Sequence, residues 1–190
     1  MQNRLFVMRH GESLANRQGL IVSKPANGVA AYGLSDTGRQ QADDSLKRET
    51  RLDSQTVIIS SDFKRAVDTA RIASERLGVD VPLTFDERLR ERDFGDLELT
   101  DVSNYRKIWV LDKEDPDHTS DGVESVNAVV ARLCGLLKDI DQRYSDKNIL
   151  LVSHGDILQI LQAVIERLPP ANHRSVNHLG TAEIRQLSPC

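Results

Sequence analysis

The sequence has little cysteine, no excess of basic residues and no long apolar run. Its two cysteines, Cys134 and Cys190, are too few for the disulfide framework of a small secreted protein. Cys134 lies among apolar residues at helical spacing, which predicts a small core residue. The apolar run at residues 5–8 ends at Arg9 and is far too short for a signal-peptide core or a membrane span. We therefore expect a cytoplasmic protein that does not enter a membrane.

The balance of charge excludes a further class of protein. The 29 acidic and 25 basic side chains give a formal net charge of -4, which argues against a general binder of nucleic acid or anionic membranes. Any anionic ligand must therefore be bound by a local basic site. Hydrophobic residues make up 39% of the chain, and no internal repeat or flexible linker divides it. Residues 1–190 are predicted to form one globular domain.

Short aliphatic runs predict the strands of a sheet. Residues 5–8, 57–59 and 149–152 are continuous apolar runs that end in turn residues, as expected for parallel strands buried on both faces. Weaker patterns indicate one more strand around Val79, Val81 and Leu83 and a final edge strand over 182–187.

Helical periodicity fills most of the sequence between these runs. It predicts helices at about 66–77 with Gly78 as cap, 126–140, 157–165 before Pro169-Pro170, and more weakly 34–46 with Ser35 or Asp36 as cap. Residues 92–121 show little periodicity and are predicted to cover one end of the sheet as helix plus loop. Alternating strands and helices predict the α/β class, as a three-layer α/β/α sandwich with a mostly parallel central sheet.

Basic side chains follow the predicted strands. Arg9 and His10 follow the first, Arg65 lies just beyond the second, and His154 follows the run 149–152. Ligands of open α/β sheets bind outside the carboxyl ends of the strands, so we expect these four side chains to meet in one crevice.

Two guanidinium groups beside two imidazoles are suited to a phosphoryl group. The arginines would repel a divalent cation, and no His-x-x-x-His or cysteine pair accompanies the cluster, so a metal site is disfavoured. No serine, cysteine or threonine stands out as a nucleophile for a histidine base. Direct attack of a neutral His10 on phosphorus therefore fits best. The leaving alkoxide then needs a protonated carboxyl, for which the spacing leaves both Glu87 and Glu91 open.

Several segments carry a resemblance to a known family, in the family's order along nearly the whole chain. They are Arg9-His10-Gly11-Glu12-Ser13 with Asn16, Leu34 to Ala42, Ser60 to Ala66 with Thr69-Ala70, Leu89-Arg90-Glu91 with Phe94-Gly95, Gly122 to Ser125, and Ser153-His154-Gly155. One Arg-His-Gly triplet is a weak motif, but the ordered series is specific. The chain resembles the histidine phosphatase superfamily, whose fold is that of the phosphoglycerate mutases.

The resemblance implies a role for each candidate residue. His10 would become a phosphohistidine, and Glu91 would act as the acid for the leaving group and then as the base for water. The remaining assignments are Arg9, Arg65 and His154 as the clamp on the phosphoryl oxygens and Asn16 at the edge of the pocket. The implied reaction is hydrolysis of a phosphate monoester without a cofactor.

Departures from the family pattern bear on the substrate. The loop over residues 20–33 is longer than the family's usual loop, and Lys24 or Tyr32 in it could touch the substrate. Glu98-Leu99 stands where the family has Glu-Gly, which puts the local turn in question. The chain is too short for the insertions that shield the phosphoryl group in mutases, which favours hydrolysis. The alternatives are a phosphoglycerate-type mutase and a module that binds phosphoesters without cleaving them.

A phosphorylated small molecule is the favoured partner, rather than a phosphoprotein, a nucleic acid or a membrane, and the oligomeric state is left open. Other charged side chains are interpreted without a catalytic role. The competing interpretation of the basic cluster is structural ion pairing with Glu12, Asp62 or Asp156. The remaining expectations are surface positions for His118, His173 and His178. The acidic run Asp112-Lys113-Glu114-Asp115 with Asp117 is interpreted as a solvated loop, with acidic metal contact as the alternative.

Overall fold

A five-stranded sheet runs through the centre of the computed structural model, which describes residues 3–79 and 81–188. The strands are β1 (Arg4–Arg9), β2 (Val57–Ser60), β3 (Thr84–Phe85), β4 (Asn148–Ser153) and β5 (Ile184–Leu187). Their spatial order is β3-β2-β4-β1-β5. β5 is antiparallel to β1, and the other pairings are parallel. The predicted mostly parallel sheet is confirmed.

Helices in the described residues connect the strands. They are α1 (Leu14–Gln18), α2 (Pro25–Gly28), α3 (Asp36–Arg48), α4 (Lys64–Leu77), α5 (Tyr105–Glu114), α6 (Val126–Arg143) and α7 (Gly155–Ile165). None of them, within the described ranges, has both the length and the hydropathy needed to cross a bilayer.

Each face of the sheet has its own apolar core, because successive side chains of a strand point to opposite faces. Leu5 and Val7 of β1 belong to the core that includes residues of α6 and α7. Phe6 and Met8 belong to the core that includes residues of α3 and α4. Helices therefore cover both faces, and the predicted three-layer sandwich is confirmed.

Capping residues set the limits of three helices. The Ser35 Oγ accepts a hydrogen bond from the Gly38 N–H at 3.0 Å, so Ser35 rather than Asp36 caps α3. Ser125 caps α6 through the Ala128 N–H. Gly78 ends α4 with a φ of 63°, the left-handed conformation that glycine adopts without strain.

Two local expectations are wrong. No strand forms around Val79, Val81 and Leu83 in the described residues; β3 begins at Thr84 instead, and Val81 is 56% exposed. Residue 80 lies outside the described residues. Cys134 is exposed rather than in the core. It follows the buried Leu133 on α6, and the rotation of 100° per residue turns it towards solvent.

Residues 92–121 contain α5 and several 3₁₀ turns, as the weak periodicity predicts. A third apolar cluster holds this segment, with Ile108 of α5 packed among Ile21, Phe94, Leu97 and Val123. Asp112 was expected in a solvated loop, but it lies in α5 and is fully buried. Its buried partner Arg92 explains the difference, because a charge is tolerated in the interior when it is paired.

Candidate active site

The carboxyl edge of the sheet carries a cavity of about 240 Å³. β1 and β4 end side by side there, since Arg9 pairs with Ser153 in register, and His10 and His154 follow the two strands. Arg65 reaches the same place from the first turn of α4. The cavity lining includes Arg9, His10, Asn16, Arg65 and Glu91, and His154 contacts Arg65 behind it.

The hydrogen bonds of His10 define its tautomer. Its Nδ1 lies 2.7 Å from the Gly11 carbonyl oxygen, which can only accept, so Nδ1 carries the proton. The Nε2 atom lies 3.1 Å from the Arg65 Nε, which can only donate. The lone pair of Nε2 therefore faces Arg65, and Nε2 is the nitrogen available for attack.

Arg65 connects the two imidazoles. Its Nε also lies 3.1 Å from the Nδ1 of His154, and its Nη2 donates to the Val22 carbonyl at 2.9 Å. Because Nδ1 of His154 accepts from Arg65, its Nε2 carries the proton and donates to the Ser61 Oγ at 2.9 Å. One guanidinium thus holds both rings in fixed orientations.

The surroundings keep both rings neutral. Burial lowers the pKa of His10 well below 6.5, and the charges of Arg65 and Arg9 lower it further. Burial also lowers the pKa of His154 well below its usual value, with Arg65 and His10 as further causes. At neutral pH His10 is therefore a neutral nucleophile rather than a cation.

Hydrogen bonds hold the Arg9 side chain in place but do not use all of its N–H donors. Its Nη1 lies 2.8 Å from the Nε2 of His178 and 2.9 Å from the Leu179 carbonyl oxygen. Within the described residues, the Arg9 Nε and the Arg65 Nη1 are buried without a hydrogen-bond partner. Buried polar groups are normally paired, so unpartnered guanidinium N–H donors in residues that line a cavity indicate a ligand with acceptor oxygens.

The competing interpretation of these arginines as structural ion pairs is not supported. In the described part of the chain, neither Arg9 nor Arg65 forms a salt bridge with a carboxylate. Glu12 accepts from Ser35 instead, and Asp62 pairs with Arg90. The two guanidinium groups are therefore left free for a ligand.

The structure distinguishes the two candidate acids. Glu87 is exposed and pairs with Arg90, whereas Glu91 is partly buried and lines the cavity. Burial raises the pKa of the Glu91 carboxyl to about 7, and Asp156 adds to this effect. Arg65 opposes the rise but does not cancel it. The position of Glu91 in the cavity and its raised pKa therefore suit it to donate a proton at neutral pH.

Asn16 lies at the exposed rim of the cavity, at the start of α1. Its Oδ1 accepts from the backbone N–H and the Oγ of Ser13, each at 3.0 Å, in a capping box. Because its oxygen is held by Ser13, its side-chain amide nitrogen is the group left to meet a ligand.

Several cavity residues escaped the sequence interpretation. Tyr105 and Trp109 of α5, Arg174 and His178 all line the cavity. From the loop 20–33 the lining residues are Leu20 and Val22, not Lys24 or Tyr32. No motif marks these positions, because they reach the cavity through tertiary packing rather than from strand ends.

The Glu98 side chain holds the loop over residues 20–33 next to the turn at Glu98-Leu99. The Glu98 carboxylate accepts from the backbone and the Oγ of Ser23, from the Lys24 N–H and from the Asn27 amide. Leu99, which stands where the family has glycine, adopts a φ of 60°, and its N–H donates to the Ile21 carbonyl at 2.8 Å. The turn is therefore kept despite the side chain.

Of the three histidines expected at the surface, His173 is fully buried instead. His118 is half-buried, with its side chain 8% exposed and 2.8 Å from the Asp112 carboxylate. His178 is exposed, as expected, but it contacts Arg9. The described residues contain no group of three or more histidine, cysteine or acidic side chains that could hold a metal.

The fold and the cavity define an α/β protein with a basic cavity, suited to an oxyanion, beyond the carboxyl ends of its strands. Residues 5–189 match the family described as "Histidine phosphatase superfamily (branch 1)". The chain belongs to this family, as its motifs predict.

Relatives and solved structures agree with this membership. Glucosyl-3-phosphoglycerate phosphatase of Mycobacterium tuberculosis is 33% identical over 204 residues, covering 97% of this chain and 85% of that protein. Phosphoglycerate mutase-like protein 4 of Arabidopsis thaliana is 30% identical, with coverage of 94% and 76%. The structure of a mycobacterial glucosyl-3-phosphoglycerate phosphatase with VO3 is similar at a TM-score of 0.79 and 30% identity, with coverage of 97% and 90%. The predicted phosphoglycerate-mutase-like fold is confirmed.

Proposed function

We propose that the protein hydrolyses a phosphate monoester of a small metabolite through a phosphohistidine on His10. One observation carries this proposal. The Nε2 lone pair of a neutral His10 lies beside the Arg65 guanidinium, in a cavity lined by Arg9 and Arg65, each of which has a buried N–H donor without a partner among the described residues. A nucleophile and fixed donors for phosphoryl oxygens are thereby combined in one cavity.

The first half of the reaction transfers the phosphoryl group to His10. The Nε2 lone pair forms a bond to phosphorus while the bond from phosphorus to the ester oxygen breaks, and that oxygen keeps the bonding electrons. Glu91 gives its proton to the oxygen, so an alcohol leaves and Glu91 becomes a carboxylate. Arg9 and Arg65 stabilise the charge on the transferring group, with His154 held against Arg65.

The second half returns the enzyme to its starting state. The Glu91 carboxylate takes a proton from a water molecule, whose oxygen forms a bond to phosphorus. The bond between phosphorus and Nε2 breaks, and its electrons return to the His10 ring as the lone pair. Inorganic phosphate leaves, Glu91 is protonated again, and no cofactor takes part.

The size of the cavity favours a small substrate. A volume of about 240 Å³ lies below the range of about 300–1,000 Å³ that is typical of sites for drug-sized ligands. A phosphoryl group and a few further atoms fill such a space, whereas a folded phosphoprotein would need an open surface. A cytoplasmic location and a single domain over residues 1–190 stay predictions of the same proposal.

Substitution of the nucleophile tests the mechanism. His10→Ala removes the attacking nitrogen, so we expect phosphate release to fall by at least about 10⁴-fold. Acid-labile label from a ³²P ester should also no longer appear on the protein. The control is His118→Gln, which removes an imidazole outside the cavity and should still form the phosphoenzyme. Retained turnover in a folded His10→Ala protein would disprove the assignment, and transfer of label to a second carbon would indicate a mutase.

A further inference from the structure

His178 lines the cavity, although the proposed mechanism gives it no part. It belongs to the irregular segment between the 3₁₀ turn Pro170–Ser175 and β5, and the residue is exposed. Its ring nevertheless contacts Arg9, one of the two arginines proposed to bind the phosphoryl group. A titratable group outside the sequence motifs thus lies directly against the phosphoryl-binding residues.

Two neighbouring residues hold one nitrogen of the Arg9 guanidinium. The Arg9 Nη1 lies 2.8 Å from the Nε2 of His178 and 2.9 Å from the Leu179 carbonyl oxygen. Because Nη1 carries two N–H groups, these two acceptors use both of them. The Nε and Nη2 atoms have no hydrogen-bond partner among the described residues. Their two parallel N–H groups form the edge that matches two oxygens of a phosphoryl group.

The backbone of Gly155, the first residue of α7, packs against both side chains. A Cβ added to Gly155 would lie 3.1 Å from the Cε1 of His178 and 3.5 Å from the Cζ and Nε of Arg9. The guanidinium therefore has backbone beside it and the imidazole at its Nη1. Its orientation is set before a phosphate ester binds, as electrostatic stabilisation of a transferring group requires.

The contact between Arg9 and His178 requires a neutral imidazole. An arginine nitrogen can only donate, so the His178 Nε2 accepts and Nδ1 carries the ring proton. A second proton would occupy Nε2 and place two cations in contact. Partial burial and the charge of Arg9 lower the pKa of His178, and Arg174 lowers it further. Asp156 and Glu183, the acidic groups that act on the ring, oppose this shift without cancelling it.

We propose that His178 is a positioning residue for Arg9, and that protonation of His178 in acid releases the arginine and weakens phosphate binding. This inference rests on the proposed phosphatase activity and concerns the regulation of that site by pH. Because His178 is exposed and Arg9 is half-buried, the imidazole is the group that turns away when both are charged. Arg9 then keeps only the Leu179 carbonyl, and its Nε and Nη2 are no longer held towards the ligand.

Two substitutions of His178 separate the hydrogen bond from the titration. His178→Leu removes the acceptor, so kcat/KM for p-nitrophenyl phosphate at pH 7.5 should fall about tenfold. Inhibition by inorganic phosphate should weaken by a similar factor. His178→Gln keeps an acceptor oxygen that does not titrate, so both quantities should stay within about threefold of the wild type. The leaving group of this ester needs little protonation, which keeps the acid Glu91 out of the comparison.

The dependence on pH is the second readout. The ratio of kcat/KM in the wild type to that in His178→Gln should fall by about twofold or more between pH 7.5 and 5, because only the wild type loses the acceptor. His10 and the ester titrate in both proteins and cancel in this ratio. The Cε1–H NMR resonance that is lost in His178→Gln should titrate with the same midpoint, below pH 6.5.

His118→Gln is the matched control, because it removes a histidine that contacts Asp112 outside the cavity, and its profile should follow the wild type. Wild-type kcat/KM in His178→Leu, equal losses in the leucine and glutamine variants, or a ratio that does not change with pH would overturn the inference. A ratio that rises in acid would also overturn it, because a cationic His178 would then bind the ester itself. Absence of phosphate release from p-nitrophenyl phosphate in the wild type would instead contradict the phosphatase proposal. Calorimetric binding of inorganic phosphate to the same variants then tests the position of Arg9.

Discussion

At the scale of single residues, burial has opposite effects on the two proton-binding groups of the cavity. A buried site disfavours the charged form of each, so the pKa of His10 falls well below 6.5 while that of Glu91 rises to about 7. Near neutral pH the imidazole is therefore neutral, with a lone pair on one nitrogen, and much of the carboxyl is protonated. One desolvated cavity thus prepares a nucleophile and an acid at the same time.

The role of Glu91 as acid makes Glu91→Gln sensitive to the leaving group. Glutamine keeps the shape but has no proton to give, so esters of ordinary alcohols should lose about 100-fold or more in kcat/KM. p-Nitrophenyl phosphate, whose leaving group needs little protonation, should lose less than about tenfold. The ratio kcat/KM is the quantity to compare, because it reports the first transfer and not the later hydrolysis of the phosphoenzyme. Equal losses across a series of esters would contradict the assignment.

The same residue predicts a pH profile. Since the acid form of Glu91 is lost as the pH rises through about 7, kcat/KM for an alkyl ester should fall above that pH. The acid limb should lie below pH 6.5, where His10 becomes protonated. Rates measured between pH 5 and 9 should show the basic limb in the wild type and no basic limb in Glu91→Gln. A basic limb that survives in the variant would belong to another group.

The reacting residues could be located from sequence for a physical reason. Arg9 ends β1, His10 and His154 directly follow β1 and β4, and parallel strands end at a common edge. Arg174 could not be found in this way, because a 3₁₀ turn has no periodic signal. The Arg92–Asp112 ion pair was also not predicted, because the residue types alone do not show whether two opposite charges are buried together or solvated.

At the scale of elements, the N-terminus of α3 supports the segment that follows His10. A Cβ added to Gly38 would overlap the Glu12 carbonyl oxygen, and a Cβ added to Gly11 would overlap the Gly38 carbonyl oxygen. The Ser35 N–H donates to the Glu12 carbonyl at 2.9 Å. Two backbones are thus in direct contact beside the nucleophile, which requires glycine on both sides.

This contact predicts that Gly38→Ala destabilises the protein and the site together. The added methyl group must displace backbone, so the free energy of unfolding should fall by about 2 kcal/mol and activity should drop with it. Gly135→Ala in α6 is the matched control. Its Cβ would lie 3.7 Å from Arg88 Nη1, an ordinary contact, and alanine in a helix should stabilise by up to about 1 kcal/mol. Urea unfolding of both variants measures the difference, and a loss of the same size in Gly135→Ala would refute the close-contact explanation.

Elements differ in how well the sequence could predict them. The central strands were recognisable because burial on both faces requires a continuous aliphatic run, as at residues 149–152. The sequence placed β3 too early, because this strand has only two residues and lies at the edge of the sheet. The alternation of Val79, Val81 and Leu83 precedes it, in a segment whose described residues form no strand. Long amphipathic helices such as α6 were the most predictable elements, since their faces repeat over several turns.

At the scale of the whole molecule, a chain of net charge -4 concentrates positive charge in one cavity. Arg9 and Arg65 lie there without a carboxylate salt bridge among the described residues, next to two neutral histidines. Buried charges without a counter-charge lower the stability of the folded protein, and they are typical of sites where a ligand supplies the opposite charge. The cost should be visible in how the stability of the whole chain depends on pH.

His154 provides the test, because the folded state must keep its ring unprotonated. Its pKa is lowered in the folded protein, so below about pH 6.5 the unfolded chain binds a proton that the folded chain does not. The free energy of unfolding should therefore fall with decreasing pH by up to about 1.4 kcal/mol per pH unit for this residue. His154→Asn removes that contribution, whereas the opposite contribution of Glu91 is present in both proteins. Urea unfolding at pH 5, 6 and 7 should give a smaller loss for the variant than for the wild type, and parallel curves would show that the His154 ring accepts a proton inside the folded protein.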